Sequence, residues 1–294
     1  MTKFTLEALN SASPPDFTAV LGDIFEHSPW IAGMALARRP FGDVRALLDS
    51  MIEAVRSAPE EEQAKLLRAH PDLAGKAAQA GTLTKDSTAE QASAGLDQLS
   101  AREFENFQRL NGDYQRKHGI PFIICVRRHT KDSILKQFAK RIENSPAQEF
   151  ETALSEVFRI AALRLDQKIE NAGLGLSGRL STHVLDNHAG RPAAGMRISL
   201  RELSSDDTPR LLRETRTNAD GRTDAPLISG QPVPAGQYEL LFSVADYFAA
   251  QNVPLAEPPF LDVVPVRFSI AEPEGHYHVP LLVTPWSYGT YRGS

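Results

Sequence analysis

The spacing of apolar residues in this chain of 294 residues changes near residue 175, and a single type of secondary structure cannot bury both patterns. Before about residue 170, apolar residues recur at helical spacing, for example at Val44, Leu47, Leu48, Met51, Ile52 and Val55. From Ser177 onward, apolar residues alternate in short segments separated by turn residues. Between the two regions, glycines interrupt residues 171–178, which is typical of a flexible linker. We therefore predict an all-α helical bundle over residues 1–170, a linker over 171–178 and an antiparallel β-sandwich over 179–294.

The same periods locate individual elements. Helices are predicted over residues 41–58, 60–69, 101–118, 132–144 and 147–171. Strands are predicted over residues 180–186, 196–202, 211–217, 238–244, 263–270 and 277–283. Residues 245–250 have the composition of a short helical segment, and Pro146 suits the first turn of the last long helix.

Composition argues against several classes of protein. A net charge of −5 without a dominant Lys or Arg block argues against a nucleic-acid surface. No run of about 18 apolar residues is present, so we predict no membrane span. Cys125 is the single cysteine, so an intramolecular disulfide is excluded and a buried thiol is expected. The first residues do not resemble a signal peptide, and the cytoplasm is the expected location.

Histidines near the C-terminus form the first candidate site. Alternation along a strand places His276 and His278 on one face, away from Tyr277. His183 lies in the middle of another predicted strand, and a turn delivers Arg222. A neutral imidazole accepts a proton from water near neutral pH and a guanidinium stabilises an oxyanion, so this set fits attack of water on a carbonyl. Structural histidines and a His-x-His metal half-site are the alternatives on residues alone.

These segments resemble a known enzyme family. Leu180-Ser181-Thr182-His183-Val184-Leu185-Asp186, the Arg222 turn, the His278 strand and the terminal Tyr291-Arg292-Gly293-Ser294 are similar to the motifs of 5-hydroxyisourate hydrolase, a transthyretin-like enzyme of urate breakdown. The resemblance spans Leu180 to Ser294. It implies that His183, Arg222, His278 and Ser294 are catalytic, that Tyr291 contacts substrate, and that no metal takes part. It also implies a β-sandwich that assembles into a tetramer with its sites between subunits.

The helical region holds a second candidate site around Ala69-His70-Pro71-Asp72-Leu73. Pro71 disfavours a helical conformation for the preceding residue, so we expect a helix to end at His70 and to hold it on a stiff turn. That histidine is either an acid–base group or a surface residue. Ser87-Thr88-Ala89-Glu90 matches a capping box, which the residues alone favour over a catalytic role, although the two roles do not exclude each other. Arg164 lies among apolar residues, where it reaches water or holds an anion.

Residues 5–168 resemble 2-oxo-4-hydroxy-4-carboxy-5-ureidoimidazoline decarboxylase (OHCU decarboxylase), an all-helical family without a cofactor. The resemblance is carried by residues 69–73, 87–91, 119–126 and 163–165. It implies that His70 is the catalytic histidine and Glu90 its carboxylate partner. The implied substrate contacts are Pro71, Ser87, Gln91, Phe122, Ile123, Ile124 and Arg164. Arg159, one turn before Arg164, is a rival for the arginine role.

The two resemblances imply consecutive reactions, hydrolysis of 5-hydroxyisourate to OHCU and its decarboxylation to (S)-allantoin. The expected partners are these small molecules and further copies of the chain, in a tetramer built through the C-terminal domain with dimerising N-terminal domains. Neither nucleic acid nor membrane is expected as a partner. A ligand carrier with the same sandwich fold and a metal-dependent amidohydrolase are the alternatives for the second half. A carrier for an apolar ligand is disfavoured, because its channel should not present His183, Arg222 and His278 together.

Overall fold

The computed structural model describes residues 3–75, 78, 80–205 and 209–293. The chain forms two compact units. One comprises residues 1–127 and 134–176, and the other comprises residues 128–133 and 177–294. Within the described ranges, no helix is both long and apolar enough to cross a membrane.

The first region is helical, as its period predicts. The described helices are α1 Leu6–Ser11, α2 Pro14–Leu21, α3 Trp30–Ala35, α4 Val44–Arg56, α5 Glu60–Arg68, α6 Lys85–Ser93, α7 Ala101–His118, α8 Lys131–Arg141 and α9 Pro146–Lys168. Short 3-10 turns occur at Leu36–Arg38 and Val126–Arg128. Helix α9 ends before the predicted residue 171, because Ile169 is extended and forms a parallel bridge with Phe4.

The helical core follows the apolar stripes of the sequence. Five of the six predicted apolar positions of α4 are buried, and Ile52 packs at the edge of the core. In α9 the first buried apolar side chains follow helical spacing at Ala153, Leu154 and Val157, and every residue from Ile160 to Leu165 is buried. Ser145 caps this helix in a box with Gln148, and Pro146 occupies its first turn. The position of Pro146 confirms its prediction, and together with the Ser145 cap it fixes the start of the helix that carries Arg164.

The second region is a set of short strands around a separate apolar core. The strands are β1 Gly178–Ser181, β2 Val184–Asp186, β3 Arg191–Pro192, β4 Arg197–Leu203, β5 Arg210–Arg216, β6 Ile228–Gln231, β7 Gly236–Ser243, β8 Val263–Ile270, β9 His276–His278, β10 Leu281–Thr284 and β11 Ser287–Thr290, with helix α10 Val244–Ala250. They form sheets of order β5-β4-β7-β8, β11-β10-β2-β3 and β6-β1-β9. Pairing is mostly antiparallel, as predicted, but β1 with β9 and β2 with β10 are parallel.

Two predicted strands are each broken into two. Residues 180–186 divide between β1 and β2, and residues 277–283 divide between β9 and β10. The two segments pass side by side from one sheet to another at these breaks. They stay paired there, because the amides of Val279 and Leu281 donate to the carbonyls of Ser181 and His183, at 3.0 and 2.9 Å. The breaks are functionally important, because they bring His183 close to His278.

Candidate active sites

His70 occupies a buried turn directly after α5. Its amide donates to the carbonyl of Leu67, and Nδ1 of its ring lies 2.9 Å from the carbonyl oxygen of Leu66. A carbonyl oxygen only accepts, so Nδ1 carries a proton and Nε2 of the neutral ring keeps its lone pair. Burial is the main reason that the pKa of His70 falls to about 4, and it outweighs the opposing bond to Leu66 and the charge of Glu26. A neutral imidazole is therefore the resting form at neutral pH.

A cavity opens beside this histidine and encloses about 360 Å³ of space, open solvent included. The nine positions predicted for the N-terminal site all line it, and Leu73, Val126 and Ile160 complete the described lining. The nine are His70, Pro71, Ser87, Glu90, Gln91, Phe122, Ile123, Ile124 and Arg164. Residues from four remote parts of the sequence thus meet at one cavity.

The turn that follows His70 is held by amide side chains. Gln91 accepts from the amide of Ala74 at 2.9 Å and donates to the carbonyl of Asp72 at 3.3 Å. Gln108 and Asn111 of α7 donate to the carbonyls of Ala74 and Leu73. Gln91 was predicted as a substrate contact, and these bonds also give it a structural task, because they fix the loop that carries the histidine.

Helix α6 does not begin with the predicted capping box. Its N-cap is Thr84, whose hydroxyl accepts from the amide of Ser87, three residues into the helix. The capping interpretation of Ser87 and Glu90 is therefore wrong, because the helix begins three residues earlier than that interpretation requires. Neither side chain caps the helix, and Glu90 instead pairs with Arg164. The Ser87 hydroxyl lies 3.2 Å from a carboxylate oxygen of Glu26.

Arg164 lies between two carboxylates. Its Nε and Nη2 atoms contact the two oxygens of Glu90 at 2.8 and 2.9 Å, and its Nη1 lies 2.9 Å from Glu26. Burial acts to lower the pKa of Arg164, but hydrogen bonds and charge from both glutamates raise it above its ordinary value. The guanidinium is thus permanently charged. Arg159 pairs with Glu156 and lies outside the described lining of the cavity, so the geometry favours Arg164 for the arginine role.

Glu26 is a residue that sequence reasoning missed. It is 3% exposed and holds Arg164 from the side opposite Glu90, while Thr84 and Ser87 donate to its other oxygen. Burial acts to raise its pKa, but the charge of Arg164 and the hydrogen bonds outweigh burial and lower it. The signal in the sequence is faint: an acidic residue directly after the buried pair Ile24 and Phe25.

The apolar wall of the cavity is an extended stretch whose backbone is bonded by side chains. Arg141 donates to the carbonyl of Ile123 at 2.7 Å, and Glu156 accepts from the amide of Cys125 at 2.8 Å. Arg141 is itself buried, lies over the ring of Phe122 and pairs with the fully buried Glu149. These contacts satisfy polar groups that a helix or sheet would otherwise satisfy, so an irregular segment is stable inside a helical unit.

In the second unit, His183 and His278 meet where the strands break. Nδ1 of His183 lies 2.6 Å from Nε2 of His278, and the two rings are nearly parallel. Burial is the largest cause of a lowered pKa in each imidazole. Arg222 adds to this effect in both, and its backbone bridges to that of His183. The pair is consequently biased toward its neutral form.

The remaining predicted residues of this site have different surroundings. His276 is exposed and lies outside the imidazole pair, although it shares the predicted strand face with His278. Tyr291 is 54% exposed. The chain end returns to the pair, because the amide of Gly293 donates to the carbonyl of His278 at 2.8 Å. Ser294 lies outside the described residues. Among the described residues, no cluster of three or more His, Cys, Asp or Glu side chains is placed to hold a metal ion.

Replacing Gly293 with alanine should impair the second site. A Cβ atom at this position would lie 2.7 Å from Cδ2 of His278, so either the tail or the imidazole must move. Because a misplacement of about 1 Å costs about 10²-fold in an oriented reaction, we expect the smaller shift that relieves this contact to lower the rate at this site by about 10- to 100-fold. The control is Gly289→Ala, whose Cβ would meet nothing within 4 Å. Equal rates in both variants would show that the tail does not position the histidine.

The architecture is that of two enzyme domains carried by one chain. Residues 10–166 match the family model for OHCU decarboxylase, and residues 180–293 match the model for the HIUase/Transthyretin family. The chain therefore belongs to the OHCU decarboxylase family in its first part and to the HIUase/transthyretin family in its second.

Individual relatives cover each part. The chain is 42% identical over 171 residues to 2-oxo-4-hydroxy-4-carboxy-5-ureidoimidazoline decarboxylase of Haloferax volcanii, which covers 58% of this chain and 99% of that protein. It is 52% identical over 118 residues to 5-hydroxyisourate hydrolase 2 of Rhizobium meliloti, covering 40% of this chain and 98% of that protein. The crystal structure of an (S)-allantoin synthase is 37% identical and covers 99% of this chain and 100% of that one, with a TM-score of 0.49.

Proposed function

We propose that this chain is a bifunctional enzyme of urate degradation. Residues 179–294 hydrolyse 5-hydroxyisourate to OHCU, residues 1–170 decarboxylate OHCU to (S)-allantoin, and residues 171–178 link the two domains. The observation that carries the proposal is the presence, on one chain, of nearly full-length relatives of both a 5-hydroxyisourate hydrolase and an OHCU decarboxylase. The cavity at His70 and the imidazole pair at His183 supply a separate site for each reaction.

At the hydrolytic site, the neutral imidazole pair takes a proton from water. The water oxygen forms a bond to the substrate carbonyl carbon, and the positive charge of Arg222 stabilises the oxyanion that develops. When the intermediate collapses, the ring C–N bond breaks and the proton moves from imidazole to the leaving nitrogen. Tyr291 and Ser294 bind the substrate from the chain end. No cofactor is required for these steps.

At the decarboxylation site, the substrate carboxylate takes the place of Glu90 on Nε and Nη2 of Arg164, with Ser87 and Gln91 beside it. The bond between the ring carbon and the carboxylate breaks, carbon dioxide leaves, and the electron pair moves into the conjugated C=N of the ring. Neutral His70 takes the proton of the substrate hydroxyl at Nε2 and returns it to the neighbouring ring carbon, while the ring nitrogen that receives the electron pair takes a proton from water. Glu90 orients the substrate. The walls formed by Pro71, Phe122, Ile123 and Ile124 exclude water from the intermediate.

The test is chiral analysis of the allantoin formed when 5-hydroxyisourate is generated from urate by urate oxidase. We expect faster loss of 5-hydroxyisourate absorbance and accumulation of the S enantiomer when the protein is present. Racemic allantoin formed at the spontaneous rate would contradict the decarboxylase assignment. An unchanged decay of 5-hydroxyisourate would instead favour a ligand carrier with the same fold.

We also propose that the chain forms a tetramer through its second domain, with the helical domains dimerising. Large apolar side chains are exposed on this unit, and a tetramer would bury part of them. They are Leu211, Phe260, Val263, Trp286, Tyr288 and Tyr291. Light scattering on the purified chain tests this arrangement, and a monomer at micromolar concentration would contradict it.

A further inference from the structure

The imidazole pair belongs to a longer hydrogen-bonded row that begins at a serine. Ser181 is the last residue of β1 and pairs in parallel register with His278 of β9. Its Oγ lies 2.9 Å from Nδ1 of His278, and Nε2 of the same ring lies 2.6 Å from Nδ1 of His183. Both nitrogens of His278 are thus engaged. Within the described residues, Nε2 of His183 has no hydrogen-bond partner, so it is the ring nitrogen that can meet water.

A row of this kind has two proton arrangements when both rings are neutral. If Ser181 donates to His278, then Nε2 of His278 donates to His183, and Nε2 of His183 carries a proton and cannot act as a base. If Ser181 accepts from Nδ1 of His278, then Nδ1 of His183 donates to His278 and Nε2 of His183 keeps its lone pair. The direction of the hydrogen bond between Ser181 and His278 thus determines whether Nε2 of His183 carries a proton or a free lone pair.

We propose that Ser181 is a positioning residue that accepts from Nδ1 of His278 and so presents Nε2 of His183 as the base that activates water. The inference rests on the proposed hydrolase function. As the water oxygen forms its bond to the carbonyl carbon, one water proton moves to Nε2 of His183. The Nδ1 proton of His183 then moves to Nε2 of His278, so the positive charge ends on a ring whose Nδ1 proton is held by Ser181. Breakage of the ring C–N bond returns a proton through the same row to the leaving nitrogen.

The substitution Ser181→Ala tests the row. Without the hydroxyl, Nδ1 of His278 loses its acceptor and the tautomers of the two rings are no longer fixed. Because a general base contributes about 10²- to 10⁴-fold, we expect kcat for hydrolysis to fall by about 10- to 100-fold as the base-competent tautomer becomes a minority, with KM unchanged within about two-fold. Ser181→Thr keeps the hydroxyl and should recover most of the rate. Ser199→Ala, on β4, is the matched control and should leave hydrolysis unchanged.

Side-chain ¹⁵N spectra of the intact chain test the same assignment without a substitution. We expect an unprotonated Nε2 on His183 and a protonated Nδ1 on His278, and a mixture of tautomers in Ser181→Ala. The opposite tautomers in the unmodified protein, or an unchanged kcat in folded Ser181→Ala, would overturn the role of Ser181. If the unmodified chain does not accelerate loss of 5-hydroxyisourate at all, the proposed function fails instead. Decarboxylation of supplied OHCU by the same samples normalises the rates for active protein.

Discussion

Replacing His70 with alanine should reduce decarboxylation of OHCU by about 10²- to 10⁴-fold, the usual contribution of one acid–base group. Hydrolysis of 5-hydroxyisourate should keep its rate, because His183 and His278 form a separate site in the other unit. The physical reason is that the cavity loses the imidazole whose Nδ1 is fixed by Leu66 and whose Nε2 is left free for a proton. The measurement is the initial rate of (S)-allantoin formation from OHCU, followed by circular dichroism.

A matched control for this substitution is His27→Ala. His27 is a largely exposed histidine near Glu26, so it tests whether removal of any nearby imidazole lowers the rate. We expect its decarboxylation rate to remain within about two-fold of the unmodified protein, because His27 lies outside the described lining of the cavity. Equal losses in the two variants, or loss of hydrolysis in folded His70→Ala, would contradict a separate site centred on His70.

The low pKa of His70 also determines whether the free energy of unfolding rises or falls with pH. Because the folded-state pKa is about 4 and the ordinary value is 6.5, the native chain binds fewer protons than the unfolded chain between these values. The free energy of unfolding is therefore undiminished above about pH 6.5 and falls by about 3 kcal/mol as the pH drops toward 4. His70→Ala should flatten this slope in chemical denaturation of the helical unit. Decarboxylation should stay constant from pH 8 to 6 if His70 governs it.

The hydrophobic period of the sequence predicted the type of secondary structure in each major region. Apolar residues with the spacing of Val44, Leu47 and Met51 can all be buried on one face only if the segment is a helix. The motifs predicted nine of the twelve described residues that line the cavity, although these residues come from remote segments of the chain. What failed was the start of α6: Thr84 and Ser87 are both acceptable caps, and only the packing of Ser87 against Glu26 distinguishes them.

Tertiary contacts explain the other differences. The breaks at His183 and Val279 lie inside continuous alternating patterns, and a period of two does not reveal where a strand changes sheet. Glu26 could not be assigned from sequence, since its role depends on contact with Arg164, 138 residues away. Similarly, His276 and His278 share a strand face, but only His278 lies opposite the point where β1 ends.

Replacing His278 with alanine should abolish detectable hydrolysis of 5-hydroxyisourate, with a loss of at least about 10²-fold, and should leave decarboxylation of OHCU intact. This ring contacts both His183 and Ser181, so its removal breaks the whole row of hydrogen bonds and leaves His183 without a partner at Nδ1. Absorbance of freshly made 5-hydroxyisourate, with and without protein, measures the first reaction.

The control for His278→Ala lies two residues away on the same strand. His276 is exposed, and its replacement by alanine removes an imidazole from β9 without touching the row. We expect His276→Ala to hydrolyse substrate at nearly the unmodified rate. Adding an independent 5-hydroxyisourate hydrolase to His278→Ala should restore (S)-allantoin formation from urate and urate oxidase, because the His70 site is untouched. Failure of that rescue in a folded protein would mean that the two sites do not work independently, and equal losses in the two histidine variants would remove His278 from its assigned role.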